Sequence, residues 1–82
     1  MHGSFGVTSG GMTDERLIKL VARRVQQLRT AKGLTQEDMQ DFGFNYRYYQ
    51  RIEAGEKNLS LKLINRLAKA FGVEPAELLR SD

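Results

Sequence analysis

The chain has 82 residues, with 13 Lys or Arg against 10 Asp or Glu for a formal net charge of +3, and it contains no cysteine. That length suits one small domain with a modest core. The missing cysteines exclude disulfides and thiolate metal sites, and no apolar run approaches the roughly 20 residues that span a bilayer. The N-terminus lacks the basic-then-apolar pattern of a secretory signal, so a cytoplasmic location is the expectation.

Residues 1–12 are rich in glycine and serine and carry no Asp, Glu, Lys or Arg. Such a segment cannot offset its ordering entropy and is expected to be a flexible tail. Its Met1-His2-Gly3-Ser4 start reads either as native or as part of a tag, with Met12 then an alternative start. The domain proper is expected over 13–82.

The first helix is predicted from Asp14 to Ala31. Thr13 can cap it, and Asp14 and Glu15 suit the positive end of its dipole. Leu17, Val21, Val25 and Leu28 form one apolar stripe, and Lys32-Gly33 ends the helix. A second helix is predicted from a Thr35 cap, with Asp38 as its capping-box partner and Met39 and Phe42 facing inward. Gly43 supplies a turn, where a left-handed backbone is cheap only for glycine. A third helix starts at the Asn45 cap and stops at Gly55. A fourth, capped by Ser60, runs through Leu61, Ile64, Leu67, Ala68 and Phe71 to Gly72. Pro75 opens a short fifth helix containing Leu78 and Leu79, which read equally as core or as a small dimer face. The predicted fold is all-α, a compact five-helix bundle.

The second and third helices, joined at Gly43, have the layout of a helix-turn-helix, in which the second member enters the DNA major groove. With Tyr46 set at 0° and about 100° per residue, Tyr49 falls near 300° and Ile52 near 240°, which defines the buried side. Gln50, Arg47 and Arg51 then lie at about 40°, 100° and 140°, on the opposite side. Arginine can bond two acceptors of guanine and glutamine can do the same with adenine. The plain alternative is that the arginines only keep a surface helix soluble. Tyr46 and Tyr48 lie on the flanks. They can meet sugars, thymine methyls or phosphates, or else pack on the preceding turn. Tyr49 is expected in the core with its hydroxyl reaching the surface. Gln36, in the first turn of the second helix, is a candidate phosphate clamp.

Charge is unevenly spread. Thr13 to Lys32 carries six basic and two acidic residues, whereas Gly33 to Gly55 carries two basic and four acidic. The helix with the reading face thus sits in an acidic segment, and binding to DNA has to come from the placement of charges rather than from bulk. The sole histidine is His2. No cluster has metal-ligand spacing, no cysteine can act as nucleophile, and the glycines of the tail do not follow a strand. Neither an enzyme nor a bound cofactor or metal is expected. The basic, amphipathic first helix fits inside the bundle better than on a membrane.

Four stretches carry a family resemblance. They are Val25-Gln26-Gln27-Leu28-Arg29, Gly33-Leu34-Thr35-Gln36-Glu37, Ile52-Glu53-Ala54-Gly55, and Ser60-Leu61-Lys62 with Leu67 through Val73. From about Val21 to Leu79 the chain resembles the Cro/repressor-type helix-turn-helix family. The resemblance implies a phage-repressor-like bundle that binds operator DNA in the major groove, usually as a symmetric homodimer. It implies that Gln36 holds a phosphate, that Asn45 caps the reading helix, and that Tyr46, Arg47 and Arg51 face bases. It also implies that Arg29 and Glu53 pair. Three departures stand out. The chain has one residue fewer between Leu34 and Gly43, Gln40 stands where the family has a small alanine, and Leu59 replaces the usual proline. The loop Glu56 to Leu59 offers Lys57 and Asn58 as phosphate contacts, and Lys62 is a weaker candidate. The expected function is a sequence-specific transcriptional regulator, with a protein partner such as a toxin or polymerase possible. The alternative is a protein-interaction module on the same fold.

Overall fold

A computed structural model of the chain describes residues 14–80. The tail and the Thr13 cap lie outside the described residues. Three α-helices are present: α1 (Asp14–Ala31), α2 (Tyr46–Glu53) and α3 (Leu61–Phe71). Two 3-10 helices, Glu37–Phe42 and Pro75–Leu79, complete the order. The described residues are all-helical, but the five predicted helices become three α-helices and two short 3-10 segments.

The N-terminal signals act as the sequence suggests. Thr35 and Asp38 cap each other, with Asp38 N–H donating to Thr35 Oγ1 at 3.1 Å and Thr35 N–H to the Asp38 carboxylate at 2.8 Å. Those bonds, the backbone one first, hold the Asp38 carboxyl below its ordinary range. Asn45 Oδ1 accepts from Tyr48 N–H, and Ser60 Oγ from Leu63 N–H, both at 3.0 Å.

The segment before Gly43 winds as a 3-10 helix. A 3-10 helix rises about 2.0 Å per residue against about 1.5 Å in an α-helix. Six residues wound that way therefore span as far as about eight in an α-helix. Met39 is fully buried, but Phe42, predicted inward, is 43% exposed. Met39 and Phe42, three apart, share one side of a 3-10 helix, so what separates them is that Phe42 lies at its end, beside Gly43. Gly43 then reverses the chain at φ 90°, and Phe44 enters the core in its place, edge-on to Tyr49 with ring centroids 5.7 Å apart. Gln40 is exposed and bonds back to the Glu37 carbonyl, so no small residue is required there.

The core comprises Val21, Val25, Met39, Phe44, Tyr49, Ile52, Leu63, Ile64, Leu67, Ala68, Phe71 and Leu78. Two stripe residues are corrected: Leu17 is 44% and Leu61 88% exposed. Each lies at the start of its helix, at the open end of the stripe. In α3 the most buried line is Leu63, Leu67 and Phe71, four residues apart on one side of the helix. The second 3-10 helix packs on both α1 and α3, which makes Leu78 core, while Leu79 stays exposed. Arg24 of α1 ties this segment down through Glu77, with Nη2 donating to the carboxylate at 2.9 Å and Nε to the carbonyl at 3.0 Å. Arg24, with Arg80 beside it, holds the Glu77 carboxyl below its ordinary range. No helix among the described residues is long and apolar enough to cross a membrane, and none of their side chains form a metal-binding cluster.

Candidate nucleic-acid interface

α2 is fixed from below by a buried ion pair. Arg29 of α1 donates Nε to Glu53 Oε2 at 2.6 Å and Nη2 to Oε1 at 3.1 Å, and its Nη1 bonds the Leu34 carbonyl at 2.7 Å. The pair that the resemblance implied is therefore present and two-pronged, and its side chains are only 11% and 5% exposed. One guanidinium thus joins α1, the segment leading into the helix-turn-helix, and the end of α2. Burial alone would raise the Glu53 carboxyl, but the bonds from Arg29, and then the one from Gln36, outweigh it and hold the group below its ordinary range. Bonding to Glu53 raises the Arg29 guanidinium in turn.

Tyr49 differs from expectation at its tip. Its ring is core, but the hydroxyl does not reach the surface: it is buried near this pair without a hydrogen bond of good geometry. Burial, and then the neighbouring Glu53 carboxylate, push the phenol far above its ordinary pKa. Because that hydroxyl has no well-formed bond to lose, Tyr49→Phe is expected to stay within about 1 kcal/mol of wild-type stability. Tyr49→Ala, which empties the ring's volume, should cost about 3–5 kcal/mol. Urea denaturation of both variants checks this, and a Phe variant that loses more than the smaller figure would show the hydroxyl to be paired.

The outer side of α2 is open. Arg47, Gln50 and Arg51 are exposed, and together with Ala54 and Glu56 they line one shallow concavity. Glu56 had no place in the sequence reading. It comes to this rim because Gly55, at φ 74°, turns the chain back beside Lys19 of α1, where a Cβ would already lie 3.4 Å from the Lys19 side chain.

The remaining candidates fall into two groups. Gln36 is half-buried, with its amide Nε2 donating to Glu53 Oε1 at 3.0 Å. Gln50 Nε2 donates to Gln36 Oε1 at 3.5 Å and to the Tyr46 hydroxyl at 3.1 Å. A chain of polar contacts therefore runs from the ion pair to the outer side of α2. On the other flank the Lys57 ammonium lies 4.9 Å from the centre of the Tyr48 ring, a cation–π contact. Asn58 and Lys62 are exposed. Arg66 of α3 clamps the turn, with its guanidinium 4.4 Å from the Phe44 ring and Nη2 donating to the Gly43 carbonyl at 2.9 Å. No local pattern signals that role, since Arg66 reads in the sequence as one more basic residue on an exposed helix side.

This frame recurs in known proteins. A helix-turn-helix family model matches residues 25–78. The chain belongs to the Cro/C1-type helix-turn-helix family. It is 39% identical over 62 residues to an uncharacterised HTH-type transcriptional regulator, y4dJ, from Sinorhizobium fredii, covering 74% of this chain and 80% of that one. It is 36% identical over 62 residues to the control protein C.BamHI from Bacillus amyloliquefaciens, covering 73% and 76%. Among solved structures, the restriction-modification controller protein C.AhdI from Aeromonas hydrophila matches with a TM-score of 0.69 at 40% identity, covering 74% of this chain and 94% of that one. A hypothetical transcription factor, NHTF, from Neisseria matches with a TM-score of 0.75 at 30% identity, covering 83% and 80%. Within this helix-turn-helix protein, α2 occupies the place of the reading helix.

Proposed function

We propose that the chain is a sequence-specific DNA-binding transcriptional regulator that reads operator DNA with α2 in the major groove. The observation that carries this reading is the exposed row Arg47, Gln50 and Arg51 on a helix whose opposite side is locked to α1 by Arg29–Glu53. The relatives it matches are regulators and control proteins rather than enzymes. Arg47 and Arg51 supply donors for guanine edges, and Tyr46 and Gln50 stand beside them. Asn45 fixes the start of the helix, while Lys57 with Tyr48, Asn58 and one remaining amide N–H of Gln36 are placed to meet phosphates. Two copies bound symmetrically would present α2 to successive half-sites, about one helical turn apart. The protein acts in the cytoplasm, where bacterial DNA lies.

Selection from random duplex DNA tests this. The expected result is a two-fold symmetric site whose affinity falls with salt, at a slope of about 0.9 in log K per phosphate neutralised. No enrichment at low salt would overturn the reading and turn attention to a protein partner for the tyrosine-rich side of α2.

A further inference from the structure

We propose that Tyr46 and Gln50 act as one composite reader of adenine, with the direction of its hydrogen bonds set from inside the protein by Glu53 through Gln36. This rests on the DNA-binding reading and names the base that one part of the site would take.

The argument follows donors and acceptors outward from the core. An ionised carboxylate accepts hydrogen bonds and donates none. Glu53 is ionised by its buried pairing with Arg29, so the Gln36 amide must turn its Nε2 toward Glu53 Oε1, at 3.0 Å. That fixes the otherwise ambiguous amide and leaves Gln36 Oε1, an acceptor, facing Gln50. Gln50 turns its own Nε2 toward that acceptor, 3.5 Å from Gln36 Oε1. The same nitrogen donates to the Tyr46 hydroxyl at 3.1 Å. Both N–H groups of Gln50 are thereby used within the protein. What remains for a ligand is the Gln50 Oε1 acceptor and, because the Tyr46 oxygen is already accepting, the Tyr46 O–H donor.

One acceptor beside one donor is a specific complement. In the major groove adenine offers the N7 acceptor and the N6 amino donor, whereas guanine offers two acceptors, N7 and O6. Tyr46 O–H can donate to adenine N7 while Gln50 Oε1 accepts from N6. Guanine would set its O6 against Gln50 Oε1, acceptor against acceptor. A freely rotating glutamine would discriminate less well, since it could offer either end of its amide. Gln36 is in this scheme a positioning residue that touches no base.

The test starts from the site that wild type enriches from random duplex DNA, followed by binding measurements with Tyr46→Phe, Gln50→Ala and Gln36→Met. Circular dichroism checks that each variant is folded. Wild type is expected to prefer adenine at one position of each half-site by about tenfold or more over guanine. Replacing that adenine by 7-deazaadenine should weaken wild type but leave Tyr46→Phe unaffected, because both changes remove the same bond. Gln50→Ala should lose the preference against guanine at that position only. Gln36→Met should bind somewhat more weakly to every sequence, because its own phosphate contact is lost, and should accept guanine at that position, because Gln50 is freed to turn. A site that is enriched but has no adenine position responding to Tyr46→Phe or Gln50→Ala would overturn the composite reader and leave the regulator reading intact. An unchanged adenine preference in Gln36→Met would overturn the positioning role. Absence of any enriched site would overturn the DNA reading and this inference with it.

Discussion

Arg29→Ala is expected to lower stability by about 3–5 kcal/mol, because it strands the Glu53 carboxylate without its partner in the interior. For a domain of this size each kcal/mol corresponds to about 4–8 °C in Tm, so thermal unfolding should move down by at least about 12 °C. The cost is large because both side chains are almost wholly removed from solvent and Arg29 also holds the Leu34 carbonyl. Its pH dependence separates a buried charge from simple loss of packing. In the wild type the Glu53 pKa is depressed, so its contribution is present above the ordinary carboxylate value and is lost as pH falls through the folded one. In the variant burial acts without Arg29 and raises the same pKa, so protonation on acidification relieves the stranded charge. The gap between the two proteins should therefore narrow between neutral pH and about pH 4. Urea titrations across that range check it, and a gap that stays constant with pH would count against the stranded-charge explanation.

Arg47→Ala and Arg51→Ala are each expected to cost about 1–3 kcal/mol of affinity for the selected site. In a symmetric dimer each loss is incurred at both half-sites, so the double variant should bind more than a hundredfold more weakly, with each 1.4 kcal/mol worth about a factor of ten. The manner of the loss is as informative as its size. If an arginine reads a base edge, its removal relaxes preference at one position; if it meets a phosphate, binding falls uniformly and the salt slope drops by about 1. Both side chains are exposed and neither supports the core, so thermal stability should stay within about 0.5 kcal/mol of wild type. Unchanged affinity in the double variant would remove the outer side of α2 from the proposed interface.

The two sides of α2 were legible in the sequence because 100° per residue divides Tyr49 and Ile52 from Arg47, Gln50 and Arg51 whatever the rest of the fold does. The polar chain behind them was not. It joins Arg29, Gln36, Glu53, Gln50 and Tyr46 across gaps of up to 24 residues, and no local pattern reports such a contact. Residue counting also misread the local charge. Glu53 contributes to an acidic segment on paper, yet its charge is offset by Arg29 from a basic one. Arg66 and Phe44 tell the same story: the turn at Gly43 is held by a cation from a helix some twenty residues further on.

By itself the sequence determined the caps at Thr35, Asn45 and Ser60, the glycine turns and the inward line of each α-helix. These depend on interactions within a few residues, and short-range chemistry is written directly in the order of side chains. Only the tertiary structure decided that the segment after Thr35 winds as a 3-10 helix, that Leu17 and Leu61 lie outside the core, and that Leu78 is buried while Leu79 is not. It also decided that the Gln36 amide bonds Glu53. Those outcomes depend on how far each helix reaches past its neighbours and on which distant partner arrives to meet it. Periodicity identifies the side of a helix that is buried, but only packing sets how much of that side is covered.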